Sequence, residues 1–277
     1  MTIARRAWGR SGIVAPILGF GVSGPHGLAA AGMALTDTAR LVETMIDAGA
    51  GLFDTAPFYG ASEQRLGAAL RGVARDRFVV ITKAGSRVTR AGIEKDFSPA
   101  GVIGSVEASL RSLRLDHVDL LLLHGPAADA CTDDLAWALA QLQARGLVRA
   151  VGACVRDAGT MAAAAWAPVK VLQGPIWMTV AGAGWAAHAA SRGQGFLAIE
   201  ALRPSASGLR APKSAADLWY LARAVTRWEA PADGVPAGER LAAALATSDV
   251  SAVIATTTRI AHLRANLAVA AAVVATA

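Results

Sequence analysis

Val118-Asp119-Leu120-Leu121-Leu122-Leu123-His124 is an almost unbroken apolar run that stops at an ionisable side chain. A half-solvated strand would alternate apolar with polar residues. A run like this one reads as a parallel strand buried on both faces. Helix-period segments flank it, over 98–113 and 132–145, and Pro99 stands just inside the start of the first. Towards the amino terminus the predicted strands are 78–82, 52–55 and 17–22, with helices over 62–70 and 36–50. Ser62 is a plausible N-cap for one helix, and Gly49 and Gly51 stop the other. Towards the carboxyl terminus strands are predicted at 148–153, 169–172, 196–199 and 250–254. Between and after them the helical segments are 159–166, 182–192, two alanine-rich stretches within 215–246, and 259–274.

The sum is eight strands, each followed by a helix, which implies βαβ units and a parallel sheet. In a chain of 277 residues this α/β pattern fits one (β/α)8 TIM barrel spanning residues 1–277 as a single domain. An open doubly wound sheet competes, but it begins with a glycine fingerprint between the first strand and helix. Leu18-Gly19-Phe20-Gly21-Val22-Ser23-Gly24 matches that fingerprint only in part, and no helix follows directly.

Composition narrows the partners. A hydrophobic fraction of 54% with 17% charged residues is that of a chain with a large core. Lys and Arg number 27 against 21 Asp and Glu, and only four of the cations are lysine. The resulting pI of about 10.0 suits anionic ligands. The arginines are scattered without interleaved aromatics, which argues against nucleic acid. Cys131 and Cys154 are too few for a disulfide framework and suit a reducing cytoplasm. Arg5-Arg6 looks like the start of a signal peptide, but Arg10 and the Gly- and Pro-containing stretch after it interrupt any apolar core. The run 267–277 is shorter than the roughly 20 residues that span a bilayer. A soluble, cytoplasmic protein without membrane or nucleic-acid partners is expected, and nothing in the sequence specifies an oligomeric state.

Polar residues at the carboxyl ends of barrel strands are where chemistry is expected. Three successive strands end in Asp54, Lys83 and His124, and Tyr59 lies five residues beyond Asp54. One of only four lysines and one of only two tyrosines therefore fall at this mouth. Taken singly, such an Asp is usually a turn former, such a His a satisfied structural residue and such a Tyr packing. Together they make an acid/base set. A tyrosine hydroxyl has a pKa near ~10, and a neighbouring ammonium lowers it by stabilising the phenolate. A carboxylate holds that ammonium in place, and a neutral histidine can donate to a carbonyl oxygen.

At these residues the sequence resembles the aldo-keto reductases. The resemblance is carried by Phe53-Asp54-Thr55-Ala56-Pro57-Phe58-Tyr59-Gly60 with Ser62-Glu63 and Leu66-Gly67, then by Ile81-Thr82-Lys83 and the 118–124 run. Residues 105–115 and Gly146-Leu147-Val148-Arg149-Ala150-Val151-Gly152 are also similar, so the likeness covers 19–152 and fades beyond. It implies Tyr59 as general acid/base, Lys83 as the group that depresses its pKa, Asp54 as the partner of Lys83, and His124 as the group that orients the carbonyl. It implies hydride exchange between a nicotinamide coenzyme, usually NADPH with NADH also admissible, and a small aldehyde, ketone or alcohol.

The same resemblance gives the coenzyme Gly21, Val22, Cys154, Gln173, Leu202, Thr257, Arg259, Arg264 and Asn266. Here the pattern departs. Cys154-Val155 stand where the family has Ser-Asn, and the chain's only asparagine is Asn266. On the seventh strand Ile199-Glu200-Ala201-Leu202 replaces an aromatic followed by Ser-Pro-Leu, and an anionic Glu200 near a pyrophosphate is unfavourable. After the eighth, Ala255-Thr256-Thr257-Thr258-Arg259 can still receive phosphate at a helix start. Arg259 and Arg264 also suit a solvated helix face.

Three readings follow: an NAD(P)H-dependent oxidoreductase, a redox-neutral enzyme using the Tyr59–Lys83 pair for elimination, isomerisation or cyclisation, and a regulatory subunit like the family's potassium-channel β-subunit branch. The chain ends soon after its eighth helix, so the mouth is expected to lack the long carboxyl-terminal loop of many relatives. Phe58, Trp177 and Trp185 are candidates to line that mouth, although packing suits each singly. Trp219 and Trp228 are expected in the core.

Overall fold

The computed structural model describes residues 3–22, 33–89, 92–157, 160, 162–177, 179–180, 183–202 and 235–273. Eight parallel strands close into a barrel: β3 (Leu18–Gly21), β4 (Leu52–Asp54), β5 (Val79–Ala84), β8 (Val118–Leu123), β9 (Val148–Cys154), β10 (Val171–Pro175), β13 (Gly195–Ile199) and β14 (Ala252–Ala255). The last pairs with the first, with Ala255 beside Phe20, so the sheet has no open edge. This is the expected (β/α)8 fold, with boundaries within two residues of the predicted strands except that β10 ends three residues later, at Pro175.

The alternation of strand side chains divides the core in two. Leu52, Ile81, Leu120, Leu122, Ala150, Val171, Leu197 and Ile254 belong to the cluster inside the barrel. Phe53, Val80, Leu121, Leu123, Val151 and Leu172 pack outward against the helices. This double burial is why the 118–123 run carries so few polar residues.

The helical layer is α1 (Leu35–Asp47), α2 (Ser62–Ala69), α3 (Pro99–Leu113), α4 (Asp133–Ala144), α5 (Ala162–Ala165), α6 (Trp185–Ser191), α7 (Ala237–Ala246) and α8 (Ile260–Ala272). Helix α3 starts as expected, with Pro99 in its first turn and the Ser98 hydroxyl accepting from Gly101 N at 3.1 Å. Ser62 does not cap α2. It is the first helical residue, preceded by Ala61, and its hydroxyl donates to Tyr59 O at 2.7 Å and Val22 O at 3.2 Å. Those two carbonyls orient the hydroxyl, and Ser62 cannot cap because it is itself helical, one position past the Ala61 N-cap. Gly67 lets α2 approach α3, because a Cβ there would collide with the Leu113 carbonyl.

Three short antiparallel hairpins escaped the sequence reading, since strands of two to four residues carry no readable period. They are β1 (Arg5–Ala7) with β2 (Val14–Pro16), β6 (Ser86–Thr89) with β7 (Gly92–Lys95), and β11 (Thr179–Val180) with β12 (Ala183–Gly184). The first sends Trp8, Ile13 and Ala15 into the inner cluster. Trp185 is buried and Trp177 is exposed. Trp219, Trp228 and the alanine-rich segment before residue 235 lie outside the described residues.

Candidate active site at the barrel mouth

Strand parity selects the site. Asp54, Lys83, His124 and Gln173 each follow an inward-facing residue by two positions, after Leu52, Ile81, Leu122 and Val171, and Cys154 itself belongs to the inner cluster. All five therefore point to the barrel axis at the carboxyl ends of their strands.

Lys83 is fully enclosed. Its Nζ donates to Asp54 Oδ1 at 2.5 Å and to the Thr55 carbonyl at 3.0 Å. It also lies 5.0 Å from the centroid of the Tyr59 ring. Tyr59 ends a 3-10 turn, Pro57–Tyr59, rather than lying in an irregular loop. Its ring meets the His124 ring edge-on at 6.3 Å between centroids, and Phe58 packs edge-on against both, at 6.2 Å and 5.6 Å. The four predicted acid/base residues are thus brought together, with Phe58 as the aromatic wall beside them.

Electrostatics assign the protons. Burial works against the charge on Lys83, but Asp54, then Tyr59 and Cys154, outweigh it and hold the ammonium above the ordinary lysine pKa. Loss of water around the Tyr59 hydroxyl raises its pKa, and Lys83 opposes that without overcoming it. The expected depression of Tyr59 is therefore present as a contribution and absent as a net effect. His124 is pushed down to about 3, first by burial and then by Lys83, Lys95 and Arg156. Its backbone is pinned, with N donating to Ala84 O at 2.9 Å and O accepting from Lys95 Nζ at 2.5 Å. The Nδ1 of its neutral ring is buried and has no hydrogen-bond partner among the described residues.

The coenzyme candidates separate into two groups. Gly21, Val22, Cys154 and Gln173 adjoin the acid/base set. Gly21 is in register with Asp54, a Cβ on it would meet Thr256 Oγ1 at 2.7 Å, and Val22 N donates to Asp54 O at 3.0 Å. Thr257, Arg259, Arg264 and Asn266 cluster instead at the end of β14 and along α8. Thr257 is buried and its hydroxyl accepts from Arg259 N at 3.1 Å, while Arg259 and Arg264 are exposed. Among the described residues no side chain caps the 13-residue α8, which leaves first-turn N–H groups for an anion. Leu202 packs on the outer cluster rather than on the barrel axis.

Glu200 is not the isolated anion that its position suggested. It accepts from Arg156 at 3.2 Å and from Trp177 Nε1 at 3.3 Å. Sequence reasoning missed Arg156 and Lys95, whose cationic side chains both act on His124. Lys95 lies on a hairpin with no readable period, and Arg156 follows a strand end without a motif.

Among the described residues no cluster of His, Cys, Asp and Glu could hold a metal ion, and no helix is long and apolar enough to cross a membrane. A sequence model of the Aldo/keto reductase family matches residues 18–276. The chain is 34% identical over 190 residues to a D-threo-aldose 1-dehydrogenase of a Pseudomonas species, covering 58% of this chain and 57% of that protein. It is 34% identical over 157 residues to L-galactose dehydrogenase of Arabidopsis thaliana, covering 54% and 48%. These matches span about half the length of the curated relatives. A holo-form aldo-keto reductase from Bacillus halodurans has the same fold, with a TM-score of 0.78 at 24% identity, over 98% of this chain and 92% of that one.

Proposed function

The chain belongs to the aldo/keto reductase family, and from that premise we propose that it is a cytoplasmic oxidoreductase exchanging a hydride between NAD(P)H and a small aldehyde or ketone. The observation that carries the reading is the Asp54–Lys83–Tyr59–His124 set, assembled from separate strand ends around one axis. NADPH is the expected coenzyme, with NADH as the alternative. When bound, it supplies the hydride.

The residues present fit such a coenzyme. The uncapped start of α8, with Thr257, Arg259 and Arg264 about it, suits a phosphate, and Asn266 lies two turns further on, on the face of Arg259. Glu200 no longer opposes the pyrophosphate, because Arg156 neutralises it. Gly21 keeps the wall of the mouth bare where a side chain would strike Thr256.

The protein's own part is to manage a proton. Tyr59 and His124 are both donors at neutral pH, and one carbonyl oxygen can accept from both. His124 orients that oxygen and Tyr59 protonates it as negative charge develops. Lys83 stabilises the phenolate left behind, and Asp54 holds Lys83 charged and in place. A tyrosine kept protonated by burial suits the reductive direction.

Calorimetric titration of the purified protein, stripped of nucleotide, tests the reading. NADPH should bind in the micromolar range, and Arg259→Ala should weaken it about tenfold. Absence of binding by NADPH and NADH alike rejects the oxidoreductase and shifts the account to redox-neutral acid/base chemistry at the same pair.

A further inference from the structure

Asp54 uses one carboxylate oxygen on Lys83, and its other oxygen is occupied too. Gln173 Nε2 donates to Asp54 Oδ2 at 3.2 Å, and Cys154 Sγ donates to Gln173 Oε1 at 3.3 Å. All three side chains are buried, at 4%, 3% and 6% exposure for Asp54, Gln173 and Cys154. Chemistry decides which way the amide faces. Its oxygen turned towards Asp54 would set acceptor against acceptor, so the NH2 group must face the carboxylate. The amide oxygen is then left to the thiol, which keeps its proton because burial pushes its pKa up to about 11. A line of hydrogen bonds therefore crosses the barrel interior from β9 and β10 to β4, where it meets the ammonium of β5.

We propose that Gln173 is a positioning residue for Asp54, held the right way round by Cys154, and that its amide thereby serves the Tyr59 proton. The inference rests on the reading of Tyr59 as general acid. Asp54 raises the pKa of Tyr59 and Lys83 lowers it. Among the described residues the groups that face Tyr59 are Lys83 from β5, Asp54 from β4, Cys154 from β9, and the rings of His124 and Phe58. An N–H on the far oxygen of Asp54 draws the carboxylate charge away from Tyr59 and leaves more of the Lys83 field acting on the phenol. Without that donor, Tyr59 must become less acidic.

The test reads Tyr59 directly and needs no coenzyme or turnover. The chain has two tyrosines, Tyr59 and Tyr220. Biosynthetic 3-fluorotyrosine gives each a fluorine NMR signal, and Tyr220→Phe assigns them. Gln173→Met keeps the shape and removes the donor, and should raise the Tyr59 pKa by about half a unit or more. Cys154→Ala should shift it in the same direction by less, and Cys154→Ser should restore it. Should Gln173→Met fail to fold, the Ala and Ser variants at Cys154 carry the comparison. An unchanged Tyr59 pKa in folded variants overturns the proposal, and so does a Gln173→Met protein whose only defect is weaker NADPH binding. Failure of the wild type to bind NADPH or NADH is a different result. It rejects the oxidoreductase while the Tyr59 titration still decides the role of Gln173.

Discussion

Two effects compete at Tyr59. Lys83 pulls its pKa down and the loss of water pushes it up, and the second wins. Carbonyl reduction needs the protonated phenol and alcohol oxidation needs the phenolate. Reduction should therefore be flat from about pH 6 to 9, while oxidation climbs with pH throughout that range. Steady-state rates in both directions check this, and a neutral-pH optimum for oxidation contradicts it. His124 adds no acid limb, because it is already neutral there. It does affect stability. Folded His124 protonates only near pH 3, whereas the unfolded chain takes up the proton at its usual 6.5, so its contribution is full above 6.5 and is lost as pH falls below it. Glu63, whose pKa burial raises, acts in the opposite sense. The urea midpoint should thus fall less between pH 7.5 and 5 in His124→Asn than in wild type. At this scale the assembly of Asp54, Lys83 and His124 at one mouth was legible because each ends an apolar run. The pairing of Glu200 with Arg156 was not, because residues 44 positions apart reveal a contact only in the fold.

Strand β8 owes its register to the one polar residue in its run. Asp119 is fully buried and accepts from Arg75 at 2.6 Å, from Arg149 at 2.6 Å and from the backbone N of Val80 at 2.8 Å. It ties β5, β8 and β9 together at the end of the barrel away from the mouth. Replacing it leaves a buried N–H unsatisfied and two cations without their partner. Asp119→Ala should cost about 2–3 kcal/mol in urea unfolding, with coenzyme affinity of the folded fraction unchanged. A neutral effect on stability contradicts this. Long strands and helices were readable from their periods, since double burial and amphipathic faces leave strong patterns. The hairpins were not, and Ser62 was misread as a cap because the helix begins on Ser62 itself, one residue earlier than a cap there requires. Only tertiary context puts Val22 O and Tyr59 O within its reach.

The barrel as a whole separates its tasks. The amino-terminal hairpin packs Trp8 and Ile13 into the inner core, and the opposite end holds Asp54, Lys83, Tyr59 and His124. The fold was legible from the count of strands and helices before any contact was known. The proposed coenzyme half was less so, because backbone direction and helix ends leave no side-chain pattern to read. Cys154 and Gln173 bond to each other and, through Gln173, to Asp54, contacts the resemblance did not imply. The central claim concerns hydride transfer with Tyr59 as the proton donor. The most direct measurement incubates the protein with C4-deuterated NADPH or NADH and small aldehydes, with Tyr59→Phe alongside. Deuterium should appear on the carbinol carbon of the product, and Tyr59→Phe should abolish it while still binding coenzyme. No deuterium from either coenzyme, or an undiminished rate in Tyr59→Phe, would contradict the account.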